Sequence, residues 1–288
     1  MKTKIIDAFN YLSEGLRPIS YTYFFILKKQ WKKFVFFAIV MVVLGLISCV
    51  LPYSLSSFNP MPENLIEYLN SSISGPFVSF LSYMLIFAIC LLFSGIICSE
   101  YDKETGFIVF PKINKYKLII GKYLANYTLA VGITAIFYFI AILAGFYYYG
   151  GPLPFTLLYS FAMALLYIFS VSCVVVLFSS ILKTVNITIV TTVLVLLIGL
   201  SVITQLLTLL ASDLEPLYSL QYAGNLMGSI LYEDFPTTVE ERYTEMGFGM
   251  MAMRTWKTPT IFAGVMVMLI YAGVSFTLAA IIFKRKQL

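Results

Sequence analysis

Six long apolar stretches alternate with short polar segments along this chain of 288 residues. Each apolar stretch is 18 to 28 residues long, and none contains a charged side chain. A helix needs about 20 apolar residues to cross a hydrocarbon core of about 30 Å, and a charge at the bilayer centre costs roughly 2.5–3.5 kcal/mol. The pattern therefore predicts an all-α integral membrane protein whose six transmembrane helices lie at residues 34–51, 77–98, 124–149, 155–182, 187–210 and 261–283.

The polar segments leave no room for a separate soluble domain, so residues 34–288 are predicted to form one transmembrane domain. Residues 1–33 form an N-terminal segment that is rich in Tyr, Phe, Ile and Leu and ends in two lysine pairs. This composition favours an interfacial helix that lies in the headgroup plane and then turns into the first span. The alternative is a longer start of the first span itself.

Lysine and arginine are distributed unevenly between the connecting segments. Of the 19 basic residues, 16 fall in residues 1–33, 99–123, 183–186 and 284–288, which alternating spans bring to one side of the membrane. Basic residues concentrate on the cytoplasmic side, so we expect a multi-pass protein of the plasma membrane with both termini in the cytoplasm. The net charge of +5 thus reports topology and contact with anionic lipid headgroups, and gives no reason to expect a nucleic-acid partner.

Several kinds of chemistry lack the residues they need. The chain has no histidine, the commonest general base and metal ligand. No acid or base lies within a predicted span, where ion-coupled carriers keep theirs, and no GxxxxGK[ST] loop is present to cradle a phosphate. The four cysteines lie in spans without metal-binding spacing. We therefore expect a non-catalytic chain that binds no cofactor or metal, and any ATP-driven motor would be another polypeptide.

The segment between the second and third spans, residues 99–123, carries the most specific pattern. Acidic residues open it, a glycine breaks it, apolar residues follow, a proline starts the next turn, and basic residues lead into the third span. Phe107 and Phe110 share one face at i and i+3, an arrangement suited to a groove on a cytoplasmic partner. The fixed points of the pattern are Glu100, Gly106, Pro111 and Gly121-Lys122.

This pattern resembles the coupling region of ABC type-2 permeases, the membrane subunits of an exporter superfamily. The resemblance extends to the whole predicted architecture, with an N-terminal interfacial helix, six spans, cytoplasmic termini and a long last external loop at residues 211–258. One departure is that only four residues separate Gly106 from Pro111, where the common family pattern has a longer apolar run. We therefore expect a shorter coupling helix.

The resemblance implies partners and contact residues. Two cytoplasmic ATPase subunits, which carry the ATP and Mg²⁺, would dock on residues 100–117, and a second copy of the chain or a similar permease would complete the transporter. Glu100 would hold the loop by pairing with Lys103 or a nearby base. The implied coupling residues are Glu100, Lys103, Glu104, Gly106, Phe107, Phe110, Pro111 and Lys115.

The second and fifth spans each carry one polar stripe. In the family that this chain resembles, these spans line the path between subunits, so the stripes are candidate walls of a substrate path. The alternative is interhelical hydrogen bonding, worth about 0.6 kcal/mol per contact. The stripe residues are Ser79, Ser82, Tyr83, Cys90 and Ser94 in the second span, and Ser201, Thr204, Gln205 and Thr208 in the fifth.

Residues 211–258 are expected to fold into short helices that rest on the bundle. Met246, Met250 and Met253 would then share one helical face. Thioethers select Cu(I), although methionine is also an adaptable filler in an apolar interfacial helix. The pattern leaves both interpretations open.

The function that these observations favour is the permease subunit of an ABC exporter. A stand-alone passive or ion-coupled transporter would instead move its solute without a nucleotide-hydrolysing partner. A membrane anchor would recruit cytoplasmic proteins through residues 99–123 and support no flux. The uncharged interior favours lipids, hydrophobic peptides or drug-like molecules as the substrate.

Overall fold

The computed structural model describes residues 2–54, 76–102, 115–150, 154–210, 214–231, 235–236, 238–248 and 251–285. Six of its helical segments are long and apolar enough to cross a membrane, as the sequence predicts. The all-helical fold class is confirmed, and the six apolar helices indicate a multi-pass membrane protein. The candidate spans are Arg17–Ile47, Tyr83–Glu100, Tyr116–Tyr148, Thr156–Ile181, Val185–Thr208 and Ile261–Arg285.

The helices are α1 (Lys2–Ser54), α2 (Pro76–Phe93), α3 (Cys98–Asp102), α4 (Lys115–Tyr149), α5 (Thr156–Ile181), α6 (Val185–Val193), α7 (Leu200–Leu210), α8 (Leu220–Gly224), α9 (Leu226–Ser229) and α10 (Ile261–Arg285). A π-helical turn, Leu194–Gly199, joins α6 to α7 within the fifth span. π-Helical turns are rare overall, and those that occur are often found at functional sites. Between α9 and α10 lie a 3₁₀ turn, Glu240–Arg242, and two strands, β1 (Tyr243–Phe248) and β2 (Met251–Trp256).

The first helix differs from the sequence-based expectation. α1 is one helix of 53 residues, or about 80 Å at 1.5 Å per residue. The turn that was predicted between residues 1–33 and the first span is absent, because α1 passes from Lys2 through residue 33 into the candidate span Arg17–Ile47 without a break. No glycine or proline lies between Pro18 and Gly45 to interrupt the helix.

The second and fourth spans form the centre of the bundle. In their most apolar windows 61% and 56% of residues are buried, against 17% in the first and fifth spans. α1 lies parallel to α4: Ile19 and Thr22 approach Gly121, while Gly45 lies farther along against Ile140. α10 packs beside α5, where the Ser170 hydroxyl donates to the Met268 carbonyl at 2.6 Å.

The connections follow the turn residues of the sequence. Gly150 ends α4 in the left-handed region, at φ +59°, which glycine adopts at little cost. α5 and α6 are separated by residues 182–184 alone and form the tight hairpin that the sequence predicts.

The segment between the fifth and sixth spans is partly helical and partly a hairpin. α8 and α9 are the short helices that were expected. The interpretation of Met246, Met250 and Met253 as one helical face is wrong, because β1 and β2 pair as antiparallel strands with Met246 opposite Met253. Met250 lies outside the described residues. Tyr, Phe, Thr and Trp in these two segments favour strand over helix.

Candidate functional site

The second span is broken close to the end that carries the coupling pattern. α2 ends at Phe93, residues 94–97 form a turn, and α3 resumes the helix at Cys98. The turn begins at Ser94-Gly95, the kind of pair at which helices kink. A break leaves backbone donors and acceptors at the adjoining helix ends, and each costs several kcal/mol in an apolar setting unless it finds a partner.

A serine of the fourth span fills this break. The Ser179 hydroxyl accepts hydrogen bonds from the backbone N–H groups of Ile97 and Cys98, each at 3.1 Å. It also donates to the Ser94 carbonyl at 2.7 Å. Ser179 is completely buried. One hydroxyl of α5 therefore serves three backbone groups of the break.

Two lysines donate to carbonyls at the break, one just before it and one within it. The Lys33 ammonium of α1 lies 3.2 Å from the Leu91 carbonyl oxygen. The Lys122 ammonium of α4 lies 3.2 Å from the Ile96 carbonyl oxygen. We call residues 91–100 together with Lys33, Lys122 and Ser179 the junction. Side chains of the first, third and fourth spans thus all hold the second span at one point.

An ion pair closes the junction between the second and third spans. The Lys122 ammonium contacts the Glu100 carboxylate, and their side chains are only 9% and 13% exposed. The Ser99 hydroxyl accepts a further hydrogen bond from Lys122 at 3.4 Å. Additional hydrogen bonds of this kind are what allow a charged pair to be buried. Lys122 is thus the base that pairs with Glu100 in the structure, whereas Lys103, the base named from the resemblance, lies outside the described residues.

The glycine beside this lysine permits a close helix contact. A Cβ on Gly121 would lie 2.9 Å from the Ile19 carbonyl oxygen and 2.9 Å from the Thr22 Cβ. Any larger side chain would therefore displace α1 from α4. The Gly121-Lys122 pair joins the third span to the first span through its glycine and to the second through its lysine.

Six of the eight predicted coupling residues lie outside the described residues. Of the coupling residues, Glu100 is in α3 and Lys115 begins α4. The third span starts earlier than the predicted residue 124, so the ends of the predicted loop 99–123 are helical. The residues that lie outside the description are Lys103, Glu104, Gly106, Phe107, Phe110 and Pro111.

The polar stripe predicted on the second span is divided between surface and interior. Tyr83 is 38% exposed, whereas Cys90 and Ser94 are completely buried. The side chains of Ser79 and Ser82 lie outside the description. Cys90 and Ser94 are therefore enclosed within one copy of the chain and do not reach a surface that a second copy could share.

The stripe on the fifth span lies at a more accessible surface. Gln205 is exposed. Ser201 also donates to the Gln221 side chain of α8 at 3.1 Å, which ties the fifth span to the segment that follows it. The three hydroxyls of the stripe also bond back along their own span, a common arrangement that satisfies them without a partner helix. These bonds run from Ser201, Thr204 and Thr208 to the carbonyls of Leu197, Leu200 and Thr204.

A second polar cluster, which sequence reasoning missed, fixes the segment before the sixth span. The Arg242 guanidinium donates to the Glu215 carboxylate at 2.7 Å and lies 5.8 Å from the centroid of the Trp256 ring. The Tyr222 hydroxyl donates to the same carboxylate at 3.1 Å. Burial and the adjacent Glu215 raise the pKa of the Tyr222 phenol, so this group stays protonated and acts as a donor.

The segment that this cluster fixes packs along the fourth and sixth spans as far as the middle of each helix. A Cβ on Gly224 would lie 2.9 Å from the Tyr167 ring of α5, which marks a close approach. The Tyr271 hydroxyl of α10 donates to the Tyr218 carbonyl. The cluster therefore has a structural role, and the junction is the stronger functional candidate because it lies beside the coupling pattern.

A comparison with models of known protein families finds no match for this chain, and a comparison with the sequences of curated proteins finds none either.

Proposed function

We propose that this chain is the membrane permease subunit of an ABC exporter, with ATP and Mg²⁺ held by separate cytoplasmic ATPase subunits. The observation that carries the proposal is the ion pair between Glu100 and Lys122. These residues are the two ends of the coupling pattern, 22 positions apart, and their contact brings the two flanks of residues 103–114 together. A segment held in this way would transmit a displacement, imposed by a partner protein, directly to the second and third spans.

The junction supplies a route for such a push through the rest of the bundle. Movement of the Glu100–Lys122 pair would be transmitted to the Ile96 carbonyl, because Lys122 also donates to it. Ser179 links the same turn to the fourth span, and Gly121 links the third span to α1. The break at residues 94–97 is the element that would bend, because the regular helix of the second span is interrupted there.

The proposed transporter contains a second permease copy, or a similar permease, and two ATPase subunits. In the first, fifth and sixth spans only 17%, 17% and 22% of the residues in the most apolar window are buried, which leaves room for a partner helix or lipid. Tyr83 and Gln205 are exposed and remain candidates for a path between copies, whereas the burial of Cys90 and Ser94 favours a structural role for those residues.

The proposed orientation has both termini in the cytoplasm of a cell whose plasma membrane holds the protein. It is supported by the concentration of 16 of the 19 basic residues on one predicted side. In this orientation residues 103–114 face the cytoplasm, as docking to an ATPase requires.

Affinity purification of the tagged chain from its native membrane in mild detergent tests this proposal. We expect a co-purifying ATPase and vanadate-sensitive ATP hydrolysis in the eluate. The variant Phe107→Asp/Phe110→Asp should lose the ATPase and remain inserted, because neither residue lies in a span. A matched control, Tyr147→Asp/Phe155→Asp, alters two exposed aromatic residues at the opposite end of the bundle and should retain it.

Two results would contradict the proposal. A chain that purifies without a nucleotide-hydrolysing companion would favour a stand-alone transporter or a membrane anchor. Equal loss of the ATPase from both double variants would mean that the docking does not depend on residues 103–114.

A further inference from the structure

The junction holds more positive charge than its carboxylate neutralises. Lys33 and Lys122 direct their ammonium groups to carbonyls of the second span. Lys29 lies one helical turn before Lys33 and shares its face of α1. The Lys29 ammonium is close enough to repel the other two. The described carboxylate in contact with this group is Glu100, so three positive charges meet one negative charge.

Two of the three ammonium groups are accessible to a ligand. Lys122 is buried, whereas Lys29 and Lys33 are exposed. Lys33 is also held in position, because its Nζ atom is bonded to the Leu91 carbonyl oxygen. Lys33 therefore presents a positive charge in a fixed position, and Lys29 presents a second one beside it, where the first span meets the second.

The part of α1 that carries these lysines also exposes aromatic rings typical of a membrane interface, on other faces of the helix. Trp31 is 58% exposed and Tyr21 is 75% exposed, and such rings favour the headgroup level. The candidate span Arg17–Ile47 contains 31 residues, or about 46 Å of helix, which exceeds a hydrocarbon core of about 30 Å. The lysine-rich first half of this span therefore reaches the headgroups.

We propose that Lys29 and Lys33 bind the phosphate of one anionic phospholipid, whose acyl chains lie along the exposed apolar surface of α1. Charge complementarity selects an anionic headgroup over a zwitterionic one. The apolar surface beyond the lysines, where exposed Phe36 lies one turn from Lys33, selects a lipid over free phosphate. The site does not depend on the transport proposal.

Lipid binding at this site stabilises the junction. A phosphate placed between Lys29 and Lys33 offsets the repulsion among the three ammonium groups and leaves Lys33 free to keep its bond to Leu91. Addition of the lipid to delipidated protein should accordingly raise its melting temperature.

Native mass spectrometry of the delipidated, full-length chain titrated with phosphatidylglycerol or phosphatidylcholine tests the site. We expect one preferred phosphatidylglycerol adduct on the unaltered chain. Each lysine beside an anionic surface strengthens binding by roughly fivefold, so Lys29→Gln/Lys33→Gln should bind about 25-fold more weakly. Lys29→Arg/Lys33→Arg keeps both charges and should retain the adduct.

The matched control is Lys28→Gln/Lys32→Gln. These lysines are also exposed, lie one turn apart on α1 and carry the same charge, but they occupy the neighbouring face of the helix. This variant should bind the lipid within about twofold of the unaltered chain, since the site's own charges are intact. Equal weakening in both glutamine variants would overturn the proposal, because general attraction would then explain the binding. Equal binding of phosphatidylcholine would also overturn it. So would equal binding of glycerol phosphate, which has the headgroup charge without acyl chains.

Discussion

At the scale of single residues, the ion pair between Glu100 and Lys122 matters for stability because both side chains are nearly buried. An exposed ion pair contributes about 0–1 kcal/mol, because water screens it. The side chains of this pair are only 9% and 13% exposed, so it is not an exposed ion pair. Loss of one partner would leave the other charge buried in surroundings that solvate it poorly.

The variant Glu100→Gln should lower the apparent melting temperature of the purified protein, because the Lys122 ammonium loses its carboxylate. Removing one partner of a buried pair costs about 3–5 kcal/mol, and the double variant Glu100→Gln/Lys122→Met should recover part of this loss. The measurement is thermal unfolding in detergent, followed by tryptophan fluorescence. Asp102→Asn removes an exposed carboxylate from the same helix and should melt close to the unaltered protein. Equal melting of Glu100→Gln and Asp102→Asn would contradict the role of the pair.

Ser179 gives a second residue-scale prediction. In Ser179→Ala the N–H groups of Ile97 and Cys98 and the Ser94 carbonyl lose their shared partner. The Ser94 carbonyl keeps the Cys98 thiol as a donor, whereas each buried N–H group left without a partner costs about 1–3 kcal/mol. Hydrogen–deuterium exchange in a peptide covering residues 94–102 should become faster.

The control for Ser179 is Thr277→Ala, which deletes an exposed hydroxyl that bonds back to its own helix at Gly273. This variant should leave exchange in residues 94–102 unchanged. If both variants exchange at the same rate there, the Ser179 hydroxyl does not stabilise the break.

At the scale of elements, the packing of α1 against α4 depends on small residues at the crossing. Helices in a membrane approach closely where glycine replaces a larger side chain. Gly121 is such a point, and Gly132 is another, where a Cβ would lie 3.1 Å from the Phe34 ring. Backbone blocks the first position, whereas a movable side chain blocks the second.

Substitution of Gly121 by alanine should therefore destabilise the protein by about 1–3 kcal/mol, the usual cost of overpacking. Gly273→Ala is the matched control, because a Cβ there meets no atom within 4 Å. Alanine in place of glycine within a helix should stabilise that variant by roughly 0.5–1 kcal/mol. Melting temperatures that move in opposite directions would agree with the structure. A lower melting temperature in both variants would contradict the close crossing of α1 and α4.

The sequence predicts the spans well and the junction only in part. Long apolar runs identify all six spans, because the membrane requires about 20 such residues of each helix. The break at residues 94–97 is hidden, since it lies inside an apolar run, and only the Ser94-Gly95 pair signals it. Its partner Ser179 is 82 positions from Ile97, a distance at which no local pattern operates. In the sequence, Lys122 is marked only as part of the Gly121-Lys122 pattern. Its contact with Glu100 is visible only in the structure.

At the scale of the whole molecule, the two ends of the bundle are built differently. One end carries the junction, where four spans meet beside the coupling pattern. The other half carries the segment that Arg242, Glu215 and Tyr222 fix, which packs along the fourth and sixth spans. In the proposed transporter, force would enter at the junction end.

Photo-crosslinking in native membranes tests the proposed function most directly. A crosslinking amino acid at Phe107 should capture an ATPase subunit, and the yield should change when ATP and vanadate are added. The same amino acid at Tyr147, which is 83% exposed at the far end of α4, should not capture that subunit. Capture of the ATPase from residue 147, or of no nucleotide-hydrolysing protein from residue 107, would contradict the proposal that residues 103–114 couple this chain to an ATP-driven motor.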